Sequence, residues 1–133
     1  MEGIESVQRR FTKRLPGCAH LDYANRLSVL KLQSLELRRL HLDMIFVYKI
    51  LFGLVDITAA DFFSYLNNCH NTPGHEYKLV SANCRTNIRQ HYFSERVINP
   101  WNALNAQNED FASLSSFKRC LFRNDFKVFV TIV

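Results

Sequence analysis

The feature that most constrains this fold is the apolar-rich run of residues 34–55. Its apolar side chains recur at steps of three and four, which predicts one long helix over about residues 34–53, capped by Ser34 and closed by Gly53. On a helical wheel they form two rows on opposite sides. One row contains Leu37, Leu40, Met44, Val47, Tyr48 and Leu51, and the other contains Leu35, Leu42, Phe46 and Ile50. A helix that is apolar on two sides must be covered on two sides, so the sequence predicts a mainly α fold, a helical bundle around this central helix.

Shorter amphipathic segments precede and follow the central helix. The first covers residues 2–15 and has one narrow apolar face. That face contains Ile4, Val7, Phe11 and Leu15. A second helix covers residues 23–30, with Asp22 as its N-cap, and a third covers residues 61–66.

A turn-rich segment, residues 67–74, separates this helical half from residues with period two. Residues 77–80 and 85–93 alternate in a way that predicts the two arms of a small β-hairpin over about residues 77–92. In the second arm, one face of the predicted strand is basic and the other is mixed.

Helix signals return after the predicted hairpin. Pro100 in the first turn of a helix would place Trp101 in the core. A last helix is predicted to start at Ser113 or Ser115, and residues 126–133 are β-prone. The predicted organisation has three parts, which are a helical segment over residues 1–66, a domain over residues 67–123 that combines the hairpin with the C-terminal helices, and a tail of uncertain structure over residues 124–133.

Positive charge is concentrated in two segments of a chain with net charge +5 and a pI near 9.2. Residues 1–31 contain six Lys or Arg against three acids, and residues 78–96 contain four against one. The cations considered for binding are Arg9, Arg10, Lys13 and Arg14 in the first segment and Arg85, Arg89 and Arg96 in the second. Two interpretations stay open. In the first, the cations at the end of the helix complement its macrodipole and the basic face of the strand is solvated. In the second, both segments contact a nucleic-acid backbone.

Other chemistry is weakly supported by the residue types. The cysteines are scattered and no signal peptide is evident, which favours reduced thiols and an intracellular protein. The longest apolar run, residues 44–55, is interrupted by Lys49 and is shorter than the ~20 residues that span a bilayer, so no membrane segment is expected. A zinc site would lack a closely spaced cysteine pair. Its ligands would come from Cys69, His70, His75, Cys84 and His91. We therefore expect no metal, no cofactor and no small-molecule substrate.

Three sequence elements, in order, carry a resemblance to a known family. Residues 4–17, IESVQRRFTKRLPG, resemble the element LExVQRRFTKxLPG. Residues 23–51 resemble the pattern YxxRLxxLxLxSLExRRLxxDxxxxYKIL. The third part resembles the elements RGHxxKL, R and FSxRVxNxWNxLP, in Gly74-His75, Lys78-Leu79, Arg85, residues 93–99 and Trp101-Asn102, with Pro73 in place of the first arginine and Asn105 in place of the last proline. In these elements the chain resembles the C-terminal thumb and post-thumb region of reverse transcriptases of jockey-like non-LTR retrotransposons.

The resemblance implies a non-catalytic fragment of an RNA-directed DNA polymerase. The family's polymerase mechanism needs palm carboxylates that hold two metal ions, and here Asp61 is isolated while Glu109-Asp110 is predicted to lie in a loop. The implied partners are the backbone of RNA or DNA, contacted by a thumb-like first helix and the basic hairpin, and an upstream polymerase body. If that body once covered the central helix, the row with Leu42 and Phe46 should be the less buried one. The alternative function is a helical protein-interaction module without a nucleic-acid role.

Overall fold

The computed structural model describes residues 2–67 and 73–131, and it confirms a mainly α protein. The α-helices are α1 (Glu2–Lys13), α2 (Tyr23–Val29), α3 (Leu35–Leu51), α4 (Asn87–Gln90), α5 (Phe93–Arg96), α6 (Ile98–Asn102) and α7 (Leu114–Arg123). Short 3-10 turns occur at Ala59–Asp61, Asn108–Phe111 and Lys127–Phe129. The chain divides into two compact units. The first unit is Met1–Leu40 with Phe126–Val133, the second is His41–Asp125, and the division falls within α3.

The helix ends follow the cap chemistry of the sequence. The side chain of Asp22 accepts from the N–H of Asn25 at 2.7 Å at the start of α2. Ser34 and Ser113 do the same for α3 and α7, at 3.2 and 3.1 Å. Each cap satisfies one of the N–H groups that the first turn of a helix leaves without a partner. These three caps confirm the predicted starts of α2, α3 and α7.

Gly53 ends the long helix as predicted. It adopts φ +69°, a left-handed conformation that glycine reaches without a Cβ clash. The N–H of Leu54 then donates to the carbonyl of Lys49 at 2.8 Å, and the N–H of Gly53 donates to that of Ile50 at 3.4 Å. This pair of bonds is the Schellman arrangement, which satisfies the last carbonyls of the helix.

The two apolar rows of α3 are unequally buried. In the first row Met44, Val47 and Tyr48 are 0 to 3% exposed, whereas in the second row Leu42 and Phe46 are 59% and 40% exposed. The expected difference is therefore confirmed for these positions. Ile50 is the exception in the second row, because it is buried.

The core of the second unit is aromatic. Tyr48 stacks between Phe52 and Phe117, with ring centroids 4.5 and 4.6 Å away, and its hydroxyl donates to the carbonyl of Phe111 at 2.8 Å. Trp101 is fully buried, as predicted, and its indole N–H donates to a backbone carbonyl at 2.7 Å. Buried aromatic rings contribute large apolar areas, and each polar tip here has a partner.

The predicted β-hairpin over about residues 77–92 is wrong, since the described residues contain only an isolated bridge there. Leu79 pairs with Tyr65 in this antiparallel bridge. The backbone N–H of Leu79 donates to the side-chain oxygen of Asn102 at 2.8 Å, and the side-chain NH₂ of Asn102 donates to the carbonyl of Leu79, also at 2.8 Å. A side-chain amide thereby takes the place of a neighbouring strand, because a buried backbone group needs a hydrogen-bond partner and a side chain can supply it as well as another backbone can.

The second arm of that hairpin is a helical turn instead. Residues 85–92 are all exposed, and residues 87–90 form α4. Alternation specifies a strand only when one of its faces is buried. With no buried face, the period of two carried no information about the backbone.

Three smaller predictions also need correction. The helix expected over residues 61–66 is a 3-10 turn at Ala59–Asp61 followed by the segment that pairs with Leu79. Pro100 lies at the third position of α6, after Ile98, and not at the first. The β-prone tail contains the 3-10 turn Lys127–Phe129, preceded by a buried Phe126.

Candidate nucleic-acid interface

Helix α1 turns a polar face toward its unit and an apolar face toward solvent. Glu5 and Thr12 are 2% and 0% exposed, whereas Ile4, Val7 and Phe11 are 64 to 66% exposed. This is the reverse of an ordinary amphipathic helix, whose apolar stripe covers the core. The predicted apolar face therefore exists, but it is not buried within the described residues.

The buried carboxylate of Glu5 explains this orientation. One of its oxygens accepts a hydrogen bond from the hydroxyl of Tyr23, and the other accepts from the backbone N–H groups of Leu35 at 2.9 Å and Glu36 at 3.3 Å. The last two donors belong to the first turn of α3. A carboxylate at that position satisfies N–H groups that would otherwise lack partners and also interacts favourably with the helix dipole.

A second buried polar group connects α1 to α2. Arg26 is 5% exposed, and its guanidinium donates to the hydroxyl of Thr12 at 3.3 Å, to the carbonyl of Leu21 at 2.6 Å and to that of Arg9 at 3.4 Å. A buried cation is tolerated when its N–H groups are satisfied in this way. Together Glu5 and Arg26 fix which face of α1 points inward.

The ionisation of Tyr23 responds to these neighbours. Burial, together with the hydrogen bond and the negative charge of Glu5, raises its pKa from 10.0 to about 12. The nearby cation of Arg9, whose guanidinium lies 4.9 Å from the centre of the Tyr23 ring, opposes that change. Tyr23 is consequently a neutral hydrogen-bond donor at neutral pH.

The cations of α1 differ in how far they are committed to the fold. Arg9 lies against the Tyr23 ring, a cation–π contact. Arg10, Lys13 and Arg14 are exposed, and within residues 2–67 and 73–131 no ion pair involves them. Residues three and four apart on a helix are neighbours. These three side chains therefore form one exposed basic group, which we call the α1 basic face.

The second group of predicted cations is split by its contacts. Arg85 and Arg89 are exposed. Arg96 instead donates to both carboxylate oxygens of Asp43, at 3.1 and 3.2 Å, and to the carbonyl of His91 at 3.0 Å. A bidentate pair of this kind is the stronger form of arginine–carboxylate contact. The guanidinium of Arg96 is thus engaged within its own unit.

The side chains weighed for metal binding are placed apart or serve the fold. The described part of the chain contains no cluster of three or more residues able to hold a metal ion, and Cys69 and His70 lie outside that part. His75 is buried, its Nε2–H donates to the carbonyl of Trp101 at 2.9 Å, and burial lowers its pKa. Desolvation and Glu95 raise the pKa of the Cys84 thiol, which disfavours the thiolate that would bind zinc.

Two of the three acids considered for a polymerase site, Asp110 and Asp61, have other roles or surroundings in the fold. Asp110 accepts from the N–H of Gln107 at 2.9 Å and pairs with Arg123 at 2.5 Å. The backbone bond to Gln107 is the main reason that its pKa is lowered, with Arg123 acting in the same direction. Asp61 is exposed in the 3-10 turn that begins at Ala59. No helix among the described residues is long and apolar enough to cross a membrane.

Sequence reasoning missed the polar residues that organise α1. Glu5 lies in the first predicted helix and Arg26 in the second, and no local pattern marks either residue as a contact between helices. Their partners are 18 to 31 residues away for Glu5 and up to 17 residues away for Arg26. A local pattern does not reveal such bonds. Compared with protein-family models, curated proteins and solved structures, the chain has no match.

Proposed function

We propose that this chain derives from the C-terminal region of a retrotransposon-type RNA-directed DNA polymerase and binds the backbone of RNA or DNA without catalysing a reaction. The observation that carries the binding proposal is the α1 basic face, three exposed cations that form no ion pair with the described residues. The family origin is supported by the three resembling sequence elements.

The contacts distinguish which cations take part. Arg10 and Lys13 on α1, and Arg14 directly after it, are exposed neighbours, so each can meet a phosphate without first breaking an ion pair with a described residue. Arg9 can contribute its charge while its guanidinium remains against Tyr23. In the second unit Arg85 and Arg89 are the binding residues, and Arg96 has a positioning role through Asp43.

Binding of this kind is independent of nucleotide sequence. Lysine and arginine contacts to phosphates position a protein on nucleic acid but read no base edges. Because each contact releases condensed counterions, the logarithm of the binding constant falls linearly with the logarithm of the salt concentration. The proposal also includes an upstream polymerase body as a former partner, supported by the exposed Leu42 and Phe46 on α3.

Fluorescence anisotropy with a labelled structured RNA, repeated across a salt series, tests the proposal. The variant combines Arg10→Gln, Lys13→Gln and Arg14→Gln, and we expect the salt slope to become shallower by about 2 to 3, since each phosphate contact contributes roughly 0.7 to 0.9. The matched control removes three exposed cations elsewhere and therefore changes net charge equally. It combines Arg38→Gln, Arg39→Gln and Lys118→Gln.

Two results would contradict the proposal. The first is absence of RNA binding by the unmodified protein at about 50 mM salt, where phosphate contacts are strong. The second is an equal loss of slope in the variant and the control, which would show that net charge alone attracts the RNA and that α1 has no special part. Urea unfolding of all three proteins establishes that each is folded.

The alternative function, a helical protein-interaction module, is favoured by one specific observation. Ile4, Val7 and Phe11 form an exposed apolar row beside the α1 basic face. Phosphate contacts do not use such a row, so it requires a separate explanation.

A further inference from the structure

The exposed apolar row of α1 forms one wall of a groove in the first unit. The groove has a volume of about 510 Å³, and Leu32 and Leu35 form its other wall. Leu32 is 48% exposed, and Val7 and Phe11 are 65% and 64% exposed. Apolar side chains concentrated in one concave surface are typical of sites that receive another molecule.

The outward orientation of this row is enforced by the fold. Rolling α1 to bury Ile4, Val7 and Phe11 would withdraw Glu5 from Tyr23 and from the first turn of α3. It would also separate the Thr12 hydroxyl from Arg26. Buried polar groups left without partners are costly. The first unit therefore holds the apolar row outside, whatever the preference of its side chains.

The shape of the groove favours a helix over a lipid surface. A helix that lies on a membrane inserts a projecting apolar face into the lipid. Here the apolar side chains line a concavity between α1 and the residues that precede and begin α3. A concave apolar surface of this kind is filled by side chains at positions i, i+3 or i+4, and i+7 of a partner helix.

Charge determines the chemistry of that helix. Arg10 and Arg14 follow Val7 and Phe11 by three residues, so the cations lie along one flank of the apolar row. Glu5 is the only acid between residues 3 and 13, and it is buried. A second copy of this chain would thus bring no acidic side chain from residues 3–13 of α1 to those cations. A helix with acidic residues beside its apolar face is complementary to them.

We propose that this groove binds an acidic amphipathic helix of a protein partner. The partner's apolar residues occupy the space between Val7, Phe11 and Leu32, and its carboxylates pair with Arg10 and Arg14. This interaction uses a different surface from the phosphate contacts of the basic face, apart from these two shared cations. An acidic partner helix and RNA therefore compete for Arg10 and Arg14.

The probe is a synthetic helical peptide of about five turns, with leucine at steps of three and four and glutamate on both flanks. Its binding is measured by fluorescence anisotropy. The variant combines Val7→Gln and Phe11→Gln, which changes exposed side chains and leaves Glu5 and Thr12 in place. We expect it to weaken peptide binding at least about tenfold and to leave the salt slope of RNA binding unchanged.

Matched controls distinguish binding in the groove from non-specific hydrophobic binding of the peptide. The protein control combines Phe122→Gln and Val128→Gln, two exposed apolar residues elsewhere, and should bind the peptide as the unmodified protein does. A peptide with lysine in place of every glutamate should bind more weakly. Equal binding of both peptides would overturn the charge argument, and equal binding by the groove variant and the control variant would overturn the groove.

Three further outcomes identify a different occupant and overturn the proposal. Binding to vesicles of phosphatidylcholine and phosphatidylserine that is lost in the groove variant, without peptide binding, would indicate a lipid surface. Concentration-dependent dimers in sedimentation that the groove variant abolishes would indicate a second copy. Loss of RNA affinity in the groove variant would indicate that Phe11 contacts bases. The last result would leave the phosphate contacts intact, so failure of the groove proposal is distinguishable from failure of RNA binding.

Discussion

Replacement of Glu5 by alanine should destabilise the protein more than loss of any exposed acid. The substitution removes the acceptor of three hydrogen bonds, from the Tyr23 hydroxyl and from the N–H groups of Leu35 and Glu36. Tyr23 is only 9% exposed, so little water can reach its hydroxyl to replace the lost hydrogen-bond partner. A buried donor without a partner costs about 1 to 3 kcal/mol. Loss of a helix N-terminal acceptor costs about 0.5 to 2 kcal/mol.

These two contributions give an expected loss of about 1.5 to 5 kcal/mol in the free energy of unfolding. The loss falls at the lower end of this range if water reaches the backbone N–H groups of Leu35 and Glu36, because both residues are only half-buried. Ser34 still caps α3 in the variant through its bond to the N–H of Leu37. The change therefore weakens the contact of α1 with α3 and does not remove α3 itself.

Urea unfolding followed by circular dichroism measures the effect. With a urea slope of about 1 to 3 kcal/mol per molar, the midpoint should fall by roughly 0.5 M or more. Glu76→Ala, which removes an exposed acid, is the control and should leave the midpoint unchanged. A Glu5→Ala variant within about 0.5 kcal/mol of the unmodified protein would refute the reasoning, because surface substitutions fall in that range.

A double-mutant cycle and a pH series isolate the bond between Glu5 and Tyr23. Glu5→Ala and Tyr23→Phe should be non-additive by about 0.5 to 3 kcal/mol, as expected for groups in direct contact. The pKa of Tyr23 is raised from 10.0 to about 12 in the folded protein. Its contribution to stability is therefore fully present below pH 10 and is lost as the pH rises toward about 12. Tyr23→Phe should remove this alkaline loss, and additive substitutions with an unchanged pH profile would contradict the predicted bond.

Two other predictions concern the second unit and the end of α3. Burial lowers the pKa of His75 below 6.5, so its contribution to stability is present above pH 6.5 and is lost as the pH falls toward its folded-state value. His75→Gln should therefore reduce the loss of stability in acid, measured by thermal unfolding. Part of that acid sensitivity should persist, because burial also lowers the pKa of His41. Gly53 has φ +69° and open space where a Cβ would lie, so Gly53→Ala should cost about 1 to 2 kcal/mol in urea unfolding from backbone strain alone. Gly3→Ala, in a helix with equally open space, should be neutral or stabilising by up to about 1 kcal/mol, and equal costs at the two glycines would contradict the strain argument.

Local chemistry in the sequence was sufficient to predict the helix boundaries that depend on it. Asp22, Ser34 and Ser113 each accept from an N–H three residues ahead, and Gly53 supplies the left-handed conformation that ends α3. Each of these interactions is completed within about one helical turn. They depend on no distant residue, which is why the pattern alone was reliable.

The errors arose where a distant group satisfied the backbone. Leu79 was expected to pair with the second arm of a hairpin, and its N–H and carbonyl are instead paired by Asn102, 23 residues further along the chain. The exposed residues 85–92 alternate without a buried face and so could become a helical turn at no cost in burial. Sequence periodicity reports which side chains are apolar, but it does not report which polar group will reach a given backbone atom.

The same limit explains the candidate site. The exposed positions of Arg10, Lys13 and Arg14 were predictable, because a cluster of charges on a short helix is rarely buried. The engagement of Arg96 by Asp43 was not, since the two residues are 53 positions apart. The sequence therefore did not show that one of the three cations in the second group is engaged within its own unit.

Stability and the proposed partner binding are separable on α1 because they use different faces of the helix. The buried face contains Glu5 and Thr12, whose replacement should lower the free energy of unfolding, and the exposed apolar row contains Val7 and Phe11, whose replacement should not. An apolar row left in water gains nothing for the folded chain from the hydrophobic effect, whereas burial by a partner would recover roughly 1.5 to 3 kcal/mol for each side chain fully covered. The orientation imposed by Glu5 thus leaves this free energy available for association, which is the physical reason to expect that a partner, and not the core, is what the row contacts.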